Sequence, residues 1–364
     1  MEKIQYNMQM QSICIYIKNN TGERNMRNRN ICAEILKNKH SKQADLSGNP
    51  HKKKKFSAAL MALVISLVLS SCSSGGVKND DGKITVYTSF FVMYDFASKI
   101  GGEKVNVINM VPSGMEPHDW EPSPKDIAGL AEADLFIYSG AGMEGWVEKV
   151  LDAVSNKNLI AVETSKGIAL QESAHSHGHG EEETEDGHPE DGYDPHVWLN
   201  PMNAKIQMKA IKDALVLADA ENSDYYEKNY NYYAEKLDEL DRKFKEAAKG
   251  FSRKEIVVSH AAYGYLCNAY GLEQFALENV TGDSEPTAAK MKEIIDFIRA
   301  HNIKVIFYDS LSSSKVVDAV ARETGIRTAV LSAIEGLTEE DLKAGKDYFS
   351  IMEENLKALS EALR

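Results

Sequence analysis

The 364 residues hold 42 Lys and Arg against 55 Asp and Glu, a net charge of −13. A balance this acidic excludes nucleic acid as an electrostatically recruited partner and favours cations near the surface. Beyond Cys72 a single cysteine remains, Cys267, so no disulfide can staple the folded part and its core must hold without one.

Four consecutive lysines, Lys52 to Lys55, precede an almost unbroken apolar run over 56–69. That run is about 14 residues, too short for a helix to cross a hydrocarbon core of about 30 Å. A basic block, a short apolar run and small residues before a cut point form an export signal. Leu69-Ser70-Ser71-Cys72 resembles a bacterial lipobox, in which the cysteine is lipidated and becomes the mature N-terminus. A plain secretory signal with a chance cysteine is the alternative. Residues 1–71 are therefore read as leader. Within it 1–51 are polar, Asn-rich and aperiodic, are set aside from the fold, and have a mis-set start codon as one reading. From Cys72 onward 30 Lys and Arg face 51 Asp and Glu, a net charge of −21.

A short tether over 72–82, rich in Ser, Gly and Asp, leads into alternating strand and helix patterns. Apolar, β-branched runs predict strands over 84–90, 105–111, 135–139 and 159–163, with helices such as 94–100 and 124–131 between them. Short continuous apolar strands separated by helices argue for a parallel, doubly wound sheet. This first lobe covers 83–223 and contains the low-complexity segment 171–192. There His175, His177, His179 and His188 sit among eight acidic residues with no Lys or Arg, a composition that cannot build a core and reads as a solvated loop.

Next comes a purely helical stretch. Tyr226, Tyr230, Tyr233, Leu237, Leu240 and Phe244 recur at spacings of 4, 3, 4, 3 and 4, one apolar stripe on a long helix over 224–250 that Gly250 ends. The helix holds neither Gly nor Pro between Tyr226 and Phe244, so a stiff joint with little hinge closure is expected. The strand pattern then restarts at 255–259, 275–278, 305–308 and 328–331, giving a second lobe over 251–364. The expected fold class is α/β: two doubly wound parallel-sheet lobes joined by one long rigid helix.

In open α/β sheets, ligands bind beyond the carboxyl ends of the strands. His118 lies in the loop after the second strand, while His260 and Asp309 directly follow strands of the second lobe. His196 joins them from the turn Asp194-Pro195-His196-Val197-Trp198. Three neutral imidazoles and a carboxylate make a tetrahedral site suited to Zn²⁺, although imidazole also suits copper, nickel and iron. A cation so held would bridge the two lobes.

The segments PSGMEPHDWEPSPKDI, SGAGMEGWVEKVL, DPHVWLNP, VVSHAAYGYL, SEPTAAKMKEIIDFI and VIFYDSLSSSKV together resemble the zinc-type solute-binding lipoproteins of ABC metal importers (ZnuA-like, metal-binding cluster A-I family). EPHDWEPSP and DPHVWLNP are the specific ones. The resemblance implies two α/β lobes with Zn²⁺ held at their interface, a permease with its cytoplasmic ATPase as partner, and a lipid anchor at Cys72 on the outer face of a bacterial membrane. It also implies a monomer that catalyses nothing and gathers extra metal on the histidines of 171–192. Ligand roles fall on His118, His196 and His260, where manganese-type members more often resemble a carboxylate at the position of His260. The last ligand position falls on Asp309, where many zinc-type relatives have Glu. Because Asp is shorter, Glu116 or water stays open as the fourth donor. The alternatives are a Mn²⁺ or Fe²⁺ importer subunit and, in another class, an exported zinc hydrolase with Glu116 or Glu121 as base. No HExxH helix or nucleophile elbow supports the hydrolase. Cell adhesion stays open as a secondary activity, although no repeat supports it.

Overall fold

The computed structural model describes residues 82–173, 192–279, 286–311 and 314–364. Cys72 and the four histidines of the 171–192 segment lie outside the described residues. Chain order begins with β1 (Ile84–Thr88), α1 (Phe91–Gly101), β2 (Val105–Asn109), α2 (Pro124–Leu130), β3 (Leu135–Tyr138), α3 (Val147–Ala153) and β4 (Ile160–Glu163). Two helices follow, α4 (Pro201–Ala218) and α5 (Ser223–Lys249). The second half runs β5 (Glu255–His260), α6 (Gly264–Tyr270), β6 (Glu273–Glu278), α7 (Ala288–Ala300), β7 (Val305–Tyr308), α8 (Lys315–Thr324), β8 (Arg327–Val330), α9 (Glu339–Lys343) and α10 (Tyr348–Leu363).

Each half builds one four-stranded, wholly parallel sheet, ordered β2-β1-β3-β4 and β6-β5-β7-β8. The two orders are equivalent, so each sheet reverses direction of growth beside its first strand, the crevice where open α/β sheets bind ligands. All eight strands expected from the apolar runs are present, shifted by at most a few residues at their ends. Local chemistry accounts for the helix starts. Ser123 and Asp126 form a reciprocal capping box with Pro124 in the first turn of α2, and Asn200 accepts from Met202 N ahead of Pro201 at the start of α4.

The tyrosine stripe lies on α5, where Tyr226, Leu237, Leu240 and Phe244 are buried in the main core. That core is continuous across both halves, taking in Val86, Phe90 and Trp198 from the first and Tyr263, Ile334 and Tyr348 from the second. A separate cluster around Val257, Ile294, Ile306 and Val320 fills the other face of the second sheet. Specific bonds reinforce the contact between the halves. Trp198 Nε1 donates to Ala333 O at 2.7 Å, Tyr348 Oη donates to Trp198 O at 2.7 Å, and Lys99 on α1 pairs with Asp347 at 2.9 Å. Wide separation of the halves would open this core.

One buried carboxylate closes the ends of β1 and β3. Glu144 accepts from Ser89 Oγ at 2.6 Å, Ser139 N at 2.8 Å and Gly140 N at 2.9 Å. Burial outweighs these bonds and pushes its pKa up to about 6, against an ordinary 4.5. The folded state thus holds this proton more tightly than the unfolded chain does. Its ionisation costs stability above about pH 6, and that cost disappears as pH falls through the ordinary value, a swing of about 2 kcal/mol. In urea unfolding of zinc-free protein, the stability of the unsubstituted chain relative to Glu144→Gln should therefore rise by about 2 kcal/mol between pH 7 and pH 4.5. A difference independent of pH would contradict this assignment.

Candidate metal centre

Three histidines meet at the cleft between the halves, each delivered by a different device. His260 is the last residue of β5. His118 comes from the loop after β2, which Trp120 anchors by packing edge-on against Trp146 with ring centroids 5.3 Å apart. The same loop is tied to the second half where Gly114 N donates to Leu337 O at 3.0 Å. His196 sits in a tight turn: Asp194 Oδ1 accepts from His196 N at 2.9 Å, a single 3-10 turn covers Val197–Leu199, and α4 follows. The indole of Trp198 then fixes this segment in the core, 5.0 Å from the Phe90 ring.

The three rings converge on one carboxylate oxygen, and it belongs to Glu335. Glu335 Oε1 lies 2.6 Å from His196 Nε2, 3.3 Å from His260 Nε2 and 3.5 Å from His118 Nε2. His118 Nε2 and His196 Nε2 are 3.4 Å apart. His118, His196 and Glu335 present donor atoms that all lie within 4.8 Å of one another. All four side chains are at most 4% exposed.

Glu335 follows β8, in the segment Leu331-Ser332-Ala333-Ile334-Glu335-Gly336. Its approach is set by an unusual backbone: Ile334 has φ 62°, a left-handed conformation that a β-branched residue adopts only when its surroundings impose it. The surroundings here are explicit. Ser332 N donates to Asn355 Oδ1 at 2.8 Å, Ile334 N donates to Ser332 Oγ at 3.1 Å, and the Ile334 side chain is fully buried.

Asp309, expected as the fourth donor, does lie beyond the carboxyl end of β7, but its oxygens are engaged elsewhere. Oδ1 accepts from Leu311 N at 2.8 Å and Oδ2 from Ala333 N at 2.6 Å. It therefore holds the segment that carries Glu335, and the carboxylate among the imidazoles is the longer Glu335. Glu116, the alternative fourth donor, lies beside Glu335 in the same cluster. Its carboxyl is hydrogen-bonded to Glu335, and Oε1 accepts from His118 N at 3.4 Å. Glu121, considered as a hydrolytic base, is an exposed residue of the same loop.

The electrostatics follow from this crowding. Burial and the neighbouring Glu335 and Asp309 charges push the Glu116 carboxyl up to about 9, which favours its neutral form beside Glu335. Burial alone would raise Glu335 and lower His196. The three surrounding imidazoles instead hold Glu335 well below the usual carboxylate range. Bonds to Asp194 and Glu335 raise His196 to about 10. Burial and the Glu335 charge raise Asp309. The centre is thus built around one anionic carboxylate with imidazole nitrogens aimed at it, a donor set of three nitrogens and one oxygen that matches Zn²⁺ in ligand type and number. Sequence reasoning missed Glu335 although it obeys the same rule that selected Asp309: it lies just beyond a strand's carboxyl end, in the loop after 328–331.

The chain and its fold have known relatives. The profile of the family described as "Zinc-uptake complex component A periplasmic" (ZnuA) matches residues 86–362. The high-affinity zinc uptake system protein ZnuA of Bacillus subtilis is 38% identical over 314 residues, spanning 85% of this chain and 98% of that protein. The zinc-binding lipoprotein AdcA of Streptococcus pneumoniae is 37% identical over 83% of this chain, which spans 60% of that longer protein. The crystal structure of the Zn(II)-bound ZnuA-like domain of the same AdcA superposes with a TM-score of 0.67 at 34% identity, covering 78% of this chain and 99% of that domain. With a family match over nearly the whole described chain, and with the two parallel-sheet halves meeting at a buried three-histidine centre, this chain belongs to the ZnuA family.

Proposed function

We propose that this chain captures Zn²⁺ on the outer side of a bacterial membrane and delivers it to the permease of an ABC importer, with His118, His196, His260 and Glu335 as ligands. The observation that carries this reading is the convergence of three buried imidazole nitrogens on one buried carboxylate oxygen, contributed by segments of both halves. Four protein donors close a tetrahedral sphere, the arrangement of a holding site; a hydrolytic zinc keeps a position open for water. The ion is cargo, not a resident cofactor. Cys72 serves as the lipid anchor, and the histidines of 171–192 supply weaker auxiliary sites.

Competition titration of the purified chain against a chelator tests the reading. One zinc should bind far more tightly than any others, and affinity should fall as pH drops, from above neutrality onward, because imidazoles must be neutral to ligate and the carboxylates beside His196 raise its pKa. A single class of weak sites, or an affinity indifferent to pH, would contradict histidine ligation. In cells, Cys72→Ala should move the protein from the membrane to the soluble fraction, and unchanged retention would exclude this anchor.

A further inference from the structure

The three histidines are not equally supported. His260 Nδ1 is buried and has no hydrogen-bond partner. His196 is held at both ends: its Nε2 faces Glu335 at 2.6 Å, and its Nδ1 lies 2.9 Å from Asp194 Oδ1. The same Asp194 oxygen accepts from His196 N at 2.9 Å, so one carboxylate atom fixes both the backbone and the ring of this residue. Asp194 is 3% exposed. Its other oxygen faces the second half of the molecule. A Cβ placed on Gly264, the first residue of α6, would lie 2.4 Å from Asp194 Oδ2. Gly264 does not have the positive φ that favours glycine; what the position requires is space. The surrounding polar atoms come from both halves, Gln171 Oε1 and Gln274 Nε2 each 3.5 Å from that Cβ. Gln171 N also donates to Tyr265 Oη at 2.9 Å.

We infer that Asp194 is the positioning residue of the metal centre, and that Gly264 provides the close approach through which the second half holds that carboxylate against His196. The inference rests on the ligand set proposed above. A carboxylate on the far nitrogen of a ligating imidazole fixes its tautomer and orientation and raises its basicity, and removing such a partner typically weakens metal binding 10- to 100-fold. In the zinc-loaded chain Asp194 thereby keeps the ring proton on Nδ1 and leaves Nε2 to the metal. Because Oδ2 packs against Gly264, the set of a first-half ligand depends on correct docking of the second half. A methyl group at Gly264 would push the carboxylate off the ring without touching any ligand.

The test uses the full chain with zinc as the probe and compares Asp194→Ala, Asp194→Asn and Gly264→Ala. Zinc affinity should fall about 10- to 100-fold in Asp194→Ala and in Gly264→Ala. It should fall less in Asp194→Asn, whose amide oxygen can still accept from both His196 nitrogens. Nitrogen-15 spectra of the histidine side chains supply a readout that a merely structural role would not move. In the zinc-loaded unsubstituted chain the His196 proton should reside on Nδ1, and in Asp194→Ala that signal should shift or broaden while those of His118 and His260 stay. The isosteric Asn variant keeps the test valid if the alanine variant fails to fold. Unchanged zinc affinity and an unchanged His196 spectrum in the substituted chains would overturn the inference while leaving the ligand set intact. Failure of the unsubstituted chain to bind zinc would overturn the ligand set, and this inference with it.

Discussion

Glu335→Ala is expected to weaken zinc binding by about a hundred- to a thousandfold, whereas Asp309→Asn should cost less than about tenfold. The magnitude follows from the whole: structural zinc sites bind with about 10–16 kcal/mol, so each of four donors carries roughly 2.5–4 kcal/mol. Glu335 supplies the negative charge at the point where three imidazoles meet, and its loss leaves those rings without a common anion. Asp309 contributes through the backbone, its oxygens accepting from Leu311 N and Ala333 N. An asparagine there can keep one of those bonds, so the Glu335 segment should loosen without collapsing. Competition titration of both variants decides between the two carboxylates, and a reversed order of effects would return the fourth position to Asp309.

Trp198→Ala should destabilise the zinc-free fold by about 3–5 kcal/mol, the usual cost of truncating a large buried aromatic. Trp198 is fully buried and packs on Phe90, and it joins the halves through Ala333 O and the Tyr348 hydroxyl. It also sits two residues after His196, while Ala333 sits two residues before Glu335, so the indole bond ties two proposed ligands from opposite halves into one register. Trp198→Phe keeps a ring against Phe90 but strands the Ala333 carbonyl, and should cost about 1–3 kcal/mol. Denaturant unfolding measures both, and zinc affinity should fall in parallel. A loss below about 1 kcal/mol for the alanine variant would mean that the halves are held together by other contacts.

Much of this arrangement was legible before any coordinates. The strands of the two sheets are written as short apolar runs between helical patterns, which is why all eight could be placed, the largely exposed β8 included, and why the lobes, the tyrosine-striped helix, the loop bearing His118 and the strand ends bearing His260 and Asp309 followed. His196 was legible because its turn carries its own punctuation, Asp-Pro before it and Asn-Pro after. Glu335 was not. It stands four residues past the expected end of its strand and reaches the site through a left-handed Ile334, a conformation that no local pattern announces because tertiary bonds from the flanking Ser332 N to Asn355 and Ala333 N to Asp309 enforce it. The role of Asp309 was hidden for the same reason. A carboxylate at a strand end can ligate a metal or hold the neighbouring backbone, and only the positions of Leu311 N and Ala333 N distinguish the two.

The central claim is the ligand set, and a crystal structure of the zinc-loaded chain with anomalous data at the zinc absorption edge tests it most directly. The account predicts one strong anomalous peak in the cleft, about 2.0–2.2 Å from Nε2 of His118, His196 and His260 and from a carboxylate oxygen of Glu335, with Asp309 still bonded to Ala333 N. A peak bound by Asp309 or Glu116 in place of Glu335, or one that leaves any of the three imidazoles out, would contradict it.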